Sequence, residues 1–400
     1  MANSFTLVIL HNNFGPYHMA RLEAINRYGR RFGVSVEGIE TASQMRIYPW
    51  KIRGDGGKGQ KVTLFSGKAY EEIPLRDMMR AMWSTLNEIN PQALAICGYK
   101  QVEMLTALAW ARIKKRLAIL VMDSKYDDYA RSRLKEWVKR RAVSLFDTAL
   151  VSGTYSQEYA TFLGMSPDRI FTGCDVVDNE YFADQADRAR KNASHFRKEY
   201  QLPEHYFLCV SRFVNGKGKN ISRLLEAYAR YCQESQRNPW DLVLCGSGPL
   251  ESQLRKEAEL LRLNQVHFAG FRQLDELTIY YGLAHCLIIP SLGDTWSLAV
   301  NEAMATGLPV LVSRACGCVP NLVQDGVNGY AFDPYNVDGM IQLMLQMSSS
   351  QVNLAAMGKA SRQLIANWSL ETYCYNLMQA AAVAPRRRWL LSKAENNDKK

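Results

Sequence analysis

The feature that most constrains the fold is an alternation of short apolar runs with longer segments of helical periodicity, which occurs twice along the chain. The apolar runs of the first half lie at residues 5–10, 93–97, 117–122 and 148–151. Those of the second half lie at 206–210, 242–245, 266–269, 286–290 and 309–312. This alternation is typical of parallel sheets covered by helices on both faces. The sequence therefore predicts an α/β protein with two doubly wound, Rossmann-like domains.

A polar, charged segment at 184–204 separates the two patterns. With 400 residues, at roughly 100–200 residues per domain, two domains are expected. We place an N-terminal domain at 1–190, a C-terminal domain at 191–383 and a basic tail at 384–400, which is a candidate for return to the N-terminal domain. Residues 46–67 hold five Gly and five Lys/Arg, and this composition predicts a mobile basic loop.

The net charge of +10 bears on binding partners rather than on the fold. Much of it lies at residues 112–141, where eleven Lys/Arg face four Asp/Glu. Nucleic acid, an anionic membrane surface and a phosphorylated small molecule are the candidate partners. No helix-turn-helix, zinc or RNP-like motif accompanies the charge, so no nucleic acid is expected and a membrane surface is favoured. A merely solvated basic face is the alternative.

The nine Cys form no CxxC motif, which predicts reduced thiols. No apolar run of 18 residues occurs, and the N-terminus does not resemble a signal peptide. These features predict a cytoplasmic protein, with peripheral binding to the inner face of the plasma membrane as a further hypothesis.

The first candidate for chemistry is the loop at 211–218, which follows an apolar run and precedes a helix. Arg212 and Lys217 stand five residues apart there and are able to straddle a diphosphate, Arg as a planar fork and Lys as a point charge. A solvated basic turn is the alternative interpretation.

Three glycines in two stretches suggest close approach of the backbone to a ligand. Gly246 and Gly248 lie between a strand and a helix, and Gly270 ends a strand before Phe271 and Arg272. We expect the first pair near a bound ligand and the second stretch near a nucleobase edge. Ordinary strand-to-helix turns are the alternative.

A pair of carboxylates is the sharpest signal. Asp294 follows a strand, and Glu302 lies eight residues later in a helix for which Ser297 is the expected N-cap. Amides of Trp296, Ser297, Leu298 and Ala299 then form a positive helix N-terminus suited to phosphate. Asp294 is placed to bind sugar hydroxyls and Glu302 a ribose diol; one capping acid and one surface acid is the alternative.

In their order and spacing, these stretches resemble the family 4 (group 1) retaining glycosyltransferases of GT-B fold. The resemblance covers residues 210–312 and continues through GCVPNLVQDGVNGYAF at 317–332. The N-terminal half resembles the family more loosely, at 14–18 and 177–179. Two positions depart from the family pattern, Asp294 where Glu is usual and Asn321 where Glu is frequent.

The resemblance implies two domains facing each other across a cleft, with the final helix at 370–382 crossing back to the first. It also implies transfer of a hexose-type sugar from a nucleoside diphosphate sugar, such as a UDP-sugar, to a saccharide or lipid-linked acceptor, as in polysaccharide or glycolipid biosynthesis. The implied catalytic residues are Arg212 and Lys217 for the diphosphate, Asp294 for the sugar ring and Glu302 for the ribose. No D-x-D triplet and no His/carboxylate cluster occurs, so neither metal nor cofactor is expected.

On the acceptor side, Gly15 and Pro16 are expected to begin a helix and to turn Tyr17 and His18 toward the cleft. Tyr99 and Asp123, each just after an apolar run, are further candidates. A structural histidine and a helix-capping aspartate are the alternatives.

Two other functions remain open from the sequence. One is a GT-B sugar-nucleotide epimerase, against which the carboxylate pair argues. The other, from a different class, is a basic nucleic-acid-binding protein.

Overall fold

The structure, a computed structural model, describes residues 5–46, 61–128, 131–214, 218–235 and 238–383. Lys217, the basic tail at 384–400 and most of the expected loop at 46–67 lie outside these residues. The described chain forms two compact α/β units. The first comprises described residues of 1–177 and 369–400, and the second comprises those of 178–368.

In the part of the first unit that the structure describes, seven strands form one parallel sheet. They are β1 (Phe5–His11), β2 (Val34–Gln44), β3 (Lys61–Ala69), β4 (Ala93–Cys97), β5 (Leu117–Met122), β6 (Thr148–Val151) and β7 (Ile170–Thr172). The strand order is β3-β2-β1-β4-β5-β6-β7. Helices α1 (Pro16–Arg30), α2 (Leu75–Ile89), α3 (Val102–Ile113), α4 (Arg133–Val143) and α5 (Thr154–Phe162) connect the strands. Strands β4 and β5 are apolar along their length because helices cover both faces.

The second unit repeats this plan with six strands among its described residues. They are β8 (Tyr206–Val210), β9 (Asp241–Cys245), β10 (Val266–Gly270), β11 (Cys286–Ile289), β12 (Val310–Ser313) and β13 (Gly329–Phe332), in the order β10-β9-β8-β11-β12-β13. Its helices are α6 (Asn179–Lys191), α7 (Ala193–Tyr200), α8 (Ile221–Glu234), α9 (Glu251–Leu260), α10 (Leu274–Leu283), α11 (Leu298–Thr306), α12 (Val319–Leu322), α13 (Val337–Met347) and α14 (Leu354–Ile365). The last helix of the described chain is α15 (Leu370–Ala382).

The predicted apolar runs are strands, but β2, β3, β7 and β13 were not predicted. Strand β2 carries Glu40, which is fully buried, so its sequence lacks a continuous apolar run. The Glu40 carboxylate accepts hydrogen bonds from the Phe14 amide at 2.8 Å and the Thr63 hydroxyl at 2.7 Å, and it also pairs with Lys61. The described end of the expected mobile loop is therefore the edge strand β3, fixed by Lys61.

The division between the units differs from the expected boundary near residue 190. Helix α6 begins where the Asp178 carboxylate accepts the Tyr181 amide at 3.0 Å. It buries Phe182 and Ala186 and packs closely on Gly282 of α10. This packing places residues 178–190 in the second unit, so the boundary falls after Val177.

The chain re-enters the first unit at Ser369 rather than after 383. Helix α15 packs on α1 and on β7. The Thr148 hydroxyl donates to the Ala380 carbonyl at 3.1 Å, and the Asn376 amide donates to the Thr172 carbonyl at 2.9 Å. The final helix therefore completes the first unit.

Both sheets contain a point where the order of strands reverses direction. In the first unit it lies between β1 and β4, and in the second between β8 and β11. In doubly wound sheets, ligands bind at the carboxyl ends of the strands at this switch point. The fold thus indicates two places where site residues should gather. No helix among the described residues is long and apolar enough to cross a bilayer.

Candidate functional site

The segment that carries Arg212 is held at the carboxyl end of β8 by the turn after β9. The Ser211 amide donates to the Cys245 carbonyl and the Phe213 amide to the Ser247 carbonyl, each at 2.9 Å. The Arg212 side chain is exposed. The structure therefore presents this predicted cation at the switch point of the second unit.

Gly246 and Gly248 make this contact possible. Their φ angles of +150° and +156° favour glycine. A Cβ on Gly246 would stand 1.7 Å from the Ser211 carbonyl oxygen, and one on Gly248 would stand 2.3 Å from that of Phe213. The pair expected to approach a ligand thus approaches the Arg212 segment, and its direct role in donor binding stays a prediction.

Asp294, after β11, forms an ion pair that sequence reasoning missed. Lys219 Nζ donates to Asp294 Oδ2 at 2.6 Å, and the two side chains are 22% and 14% exposed. The two loops are also joined by the Leu292 amide, which donates to the Gly218 carbonyl at 3.1 Å. Lys219 was available as a signal, since it is a further cation on the loop that was singled out for Arg212 and Lys217.

A third loop, after β12, fixes the backbone around Asp294. The Gly317 amide donates to the Asp294 carbonyl at 3.0 Å, and the Cys318 amide donates to the Trp296 carbonyl at 3.2 Å. A Cβ on Gly317 would lie 1.8 Å from the Thr295 carbonyl oxygen, so only glycine permits this approach. Loops from three adjacent strands therefore position one carboxylate.

Helix α11 begins directly behind Asp294. Ser297 occupies the predicted N-cap position but has a left-handed backbone, with φ of 88°, and its side chain makes no capping hydrogen bond. First-turn amides of a helix lack acceptors within the helix, and Ser297, Leu298 and Ala299 are only half-buried. This geometry suits the predicted contact with phosphate.

The Trp296 side chain is not available for the predicted contact with phosphate. It is buried, its Nε1 donates to Asn301 Oδ1 at 2.8 Å, and its ring lies 5.0 Å from that of Trp368. Only the backbone of Trp296 is left for a ligand.

Glu302 is buried within α11, where the Tyr281 hydroxyl of α10 donates to its Oε2 at 2.6 Å. Tyr281 thus orients the predicted ribose-binding carboxylate. Tyr281 lies far from Glu302 along the chain, so no local sequence pattern links the two residues.

The nucleobase candidates lie beside the same turn. The Gly246 amide donates to the Gly270 carbonyl at 2.9 Å, and half-buried Phe271 follows. Arg272 pairs with Glu276 at 3.1 Å and lies over the Tyr280 ring at 5.5 Å, so its own helix holds it.

The first unit has a cavity of about 290 Å³ at its switch point. It is lined by residues at or just after the carboxyl ends of β1, β4, β5 and β7 and by two residues of α1: His11, His18, Arg21, Cys97, Gly98, Tyr99, Lys100, Gln101, Val121, Met122, Asp123, Ser124, Cys174 and Asp175. The structure therefore brings together three predicted acceptor-side residues, His18, Tyr99 and Asp123. Gly15, Pro16 and Tyr17 are not part of the lining and form the start of α1.

Two histidines form one wall of this cavity. The rings of His11 and His18 lie 4.1 Å apart. Desolvation and the neighbouring Arg21 lower the pKa of His18 to about 3. Desolvation, His18 and Arg21 hold the pKa of His11 well below its ordinary value. Both imidazoles are therefore neutral near pH 7. His11 was missed because it ends an apolar strand.

The tautomer of His18 follows from its backbone contact. The Gly15 amide donates to His18 Nδ1 at 3.2 Å. Because Nδ1 accepts, the proton of the neutral ring is on Nε2. His18 is thus a hydrogen-bond donor rather than a general base.

Arg21 forms polar contacts with other residues of the first unit. Its Nε donates to the Val176 carbonyl at 3.0 Å, and its guanidinium lies 3.5 Å from Asp175. With Lys100 and Asp123 also in the lining, the cavity holds two cations and two carboxylates. Such a balanced set of charges suits an uncharged polar group.

No metal centre is visible in the described ranges, where no three His, Cys, Asp or Glu side chains are grouped to hold an ion. Independence from metal stays a prediction.

Comparison with solved structures identifies the fold. A glycosyltransferase from Rickettsia africae has a TM-score of 0.72 at 13% identity, covering 95% of this chain and 98% of that one. HepE from Anabaena, in complex with UDP and glucose, has a TM-score of 0.70 at 14% identity, covering 94% and 98%. The protein thus has the two-domain α/β fold of GT-B glycosyltransferases.

Sequence comparison points to the same class of protein. Residues 191–364 match the family model of glycosyl transferases group 1. The sulfoquinovosyl transferase SQD2 of Arabidopsis thaliana is 31% identical over 30% of this chain and 24% of its own length. The D-inositol 3-phosphate glycosyltransferase of Corynebacterium kroppenstedtii is 27% identical over 48% of this chain and 42% of its own. The chain thus aligns with less than half the length of these relatives.

Proposed function

We propose that this glycosyltransferase moves a hexose-type sugar from a nucleoside diphosphate sugar to a hydroxyl acceptor, with retention of anomeric configuration. The observation that carries the proposal is the placement of Asp294 at the switch point of the second unit by three loops and by Lys219. The solved structure of HepE with UDP and glucose supports a UDP-sugar as donor.

The donor-side roles follow from chemistry at the carboxyl end of the second sheet. Arg212, together with Lys217, neutralises charge that develops on the departing diphosphate, and such preorganised electrostatics are often the largest catalytic contribution. The α11 amides of Leu298 and Ala299 add partial positive charge. Lys219 occupies Asp294 Oδ2, so that Oδ1 is the oxygen offered to a sugar hydroxyl.

Glu302 binds the donor ribose in this proposal, and Tyr281 fixes its orientation. The acceptor hydroxyl attacks from the face that the leaving group departs from, and a phosphate oxygen takes its proton. No metal ion and no cofactor takes part.

The cavity of the first unit receives the acceptor. His18 Nε2–H donates to an acceptor oxygen, and Asp123 accepts from a hydroxyl. The balanced charge of the lining favours an uncharged sugar at the attacking end. A saccharide or lipid-linked saccharide of polysaccharide or glycolipid biosynthesis, made at the cytoplasmic face of the membrane, fits this description.

A panel of nucleoside diphosphate sugars, read by release of free nucleotide, tests the function. We expect slow release with one donor, acceleration by a saccharide acceptor, an unchanged rate in EDTA, and a product with the donor's anomeric configuration by NMR. Lys217→Ala should abolish release, whereas Lys256→Ala, an exposed lysine on α9, should leave it unchanged. An epimerised donor without transfer, or no turnover of any donor, would refute the proposal.

A further inference from the structure

Helix α4 of the first unit exposes three large apolar side chains to solvent and buries its one acidic side chain. Leu134, Trp137 and Val138 are 71%, 55% and 53% exposed, whereas Glu136 is buried. Leu145, just past the end of the helix, is also exposed. This arrangement is the reverse of that in an ordinary surface helix, which buries its apolar stripe.

The exposed side chains lie on one face. Positions 134, 137, 138, 141 and 145 follow the spacing of a single helical stripe, which spans roughly 100° of the helix surface. Arg141 belongs to this stripe, and its guanidinium lies over the Trp137 ring at 5.3 Å. The stripe is therefore an apolar band that carries a cation of its own.

Further cations flank the band. Of the five Lys/Arg in α4, Arg133, Lys135, Arg140 and Arg141 are exposed. The guanidinium of Arg140 lies over the exposed ring of Phe162 at 4.6 Å, which extends the surface onto α5. We name Arg133, Leu134, Lys135, Trp137, Val138, Arg140, Arg141, Leu145 and Phe162 the α4 surface.

The inner face of α4 shows that this orientation is fixed. The Glu136 carboxylate accepts from Lys139 Nζ at 2.7 Å and from the Tyr159 hydroxyl at 2.9 Å, and it pairs with Arg131 at 3.3 Å. Turning the helix to bury Trp137 would expose Val143 and break this cluster. The apolar band is thus held outward by specific contacts.

We propose that the α4 surface docks the protein on a membrane that contains anionic lipid. Tryptophan and leucine partition into the interface between headgroups and acyl chains, while arginine and lysine beside them meet the lipid phosphates. The fourfold positive charge, without an exposed acid on the helix, complements an anionic surface. Docking is independent of the donor site and needs no sugar nucleotide.

Vesicle co-sedimentation of the full chain tests the proposal, using phosphatidylcholine vesicles with and without phosphatidylglycerol. We expect binding to the anionic vesicles and at least tenfold weaker binding to phosphatidylcholine alone. Leu134→Ser with Trp137→Ser should weaken binding at least tenfold. Arg140→Gln with Arg141→Gln should weaken it roughly 30-fold.

A matched control comes from α9 of the second unit, where Lys256 is exposed and Leu260 is 83% exposed. Lys256→Gln with Leu260→Ser removes one cation and one apolar side chain elsewhere and should leave binding unchanged. Thermal unfolding of each variant shows that it is folded. Brominated lipid should quench part of the tryptophan fluorescence, and Trp137→Phe should remove that part while binding persists.

Three results would overturn the proposal. The first is no binding to anionic vesicles, and the second is equal loss of binding in the α4 and α9 variants. The third is a concentration-dependent dimer that Trp137→Ser abolishes, without vesicle binding, because the α4 surface would then contact a second copy of the chain.

Discussion

Replacing Gly246 by Ala should displace the Arg212 segment, and the structure allows the cost to be worked out. The new Cβ would lie 1.7 Å from the Ser211 carbonyl oxygen, a backbone atom that has no flexible alternative. Relief of this clash breaks the two hydrogen bonds from Ser211 and Phe213 to the turn after β9. At about 1 kcal/mol for each bond, that loss is about 2 kcal/mol.

The positive φ of Gly246 adds a further cost of about 1 kcal/mol, because L-residues disfavour it. We therefore expect Gly246→Ala to destabilise the second unit by about 3 kcal/mol. At roughly 2–4 °C for each kcal/mol, its thermal transition should fall by about 6–12 °C. Nucleotide release should fall as well, since Arg212 is no longer held in place.

Gly326→Ala is the matched control in the same unit. Its φ is +77°, but the nearest atom to the new Cβ is the Tyr330 hydroxyl at 4.0 Å. This variant carries the backbone cost alone, about 1 kcal/mol or roughly 2–4 °C. Calorimetry of both variants separates the two contributions. An equal decrease in both would refute the close-approach argument, and normal nucleotide release in Gly246→Ala would refute the role given to Arg212.

Three further predictions concern individual side chains. Lys219→Met leaves the Asp294 carboxylate without its ion-pair partner, so kcat/KM for nucleotide release should fall about 10–100-fold, corresponding to about 1.5–3 kcal/mol. Lys219→Arg should retain most of the activity. An unchanged rate in Lys219→Met would exclude a role for the pair. Tyr281→Phe removes the hydrogen bond to buried Glu302, and we expect a raised KM for the donor and a loss of about 1–3 kcal/mol of stability. An unaltered donor KM would show that Glu302 has no role in donor binding. The pKa of His18 is about 3 in the folded protein, below its unfolded value of about 6.5. Between these two values the unfolded chain binds one more proton than the folded protein. The contribution of His18 to stability is therefore complete above pH 6.5 and falls toward pH 3 by at most about 1.4 kcal/mol per pH unit. His18→Gln should flatten this decline in a series of thermal midpoints, and a decline identical to that of the parent protein would contradict the assignment.

Most of the strands that the sequence revealed are buried on both faces. In β4, β5, β8 and β11, helices on each side require an apolar residue at every position, and this requirement is visible as a continuous run. Strands β2 and β3 were missed because a buried ion pair replaces apolar packing between them. From the sequence alone, Glu40 would be assigned to the protein surface, because its partner Lys61 becomes apparent only in the structure.

The residues of the candidate site also differ in how far the sequence alone indicates them. Arg212, Asp294 and Glu302 could be proposed from the sequence because they lie in short stretches whose spacing is visible along the chain. Lys219, Tyr281 and His11 were missed as site residues because their roles depend on contacts across loops and helices. Ser297 shows the limit of local patterns, since it takes the predicted N-cap position with a left-handed backbone and no capping bond.

The return of α15 to the first unit has a consequence for the order of folding. The second unit is one continuous stretch, residues 178–368, whereas the first is completed by residues at the other end of the chain. During synthesis, the first sheet leaves the ribosome before the second, yet its α1 face stays uncovered until Tyr373, Leu377 and Met378 emerge. A stop codon just after Trp368 would therefore spare every residue of the second unit and destabilise the first. Nascent chains halted at this point are the ones in which chaperones should find exposed apolar surface.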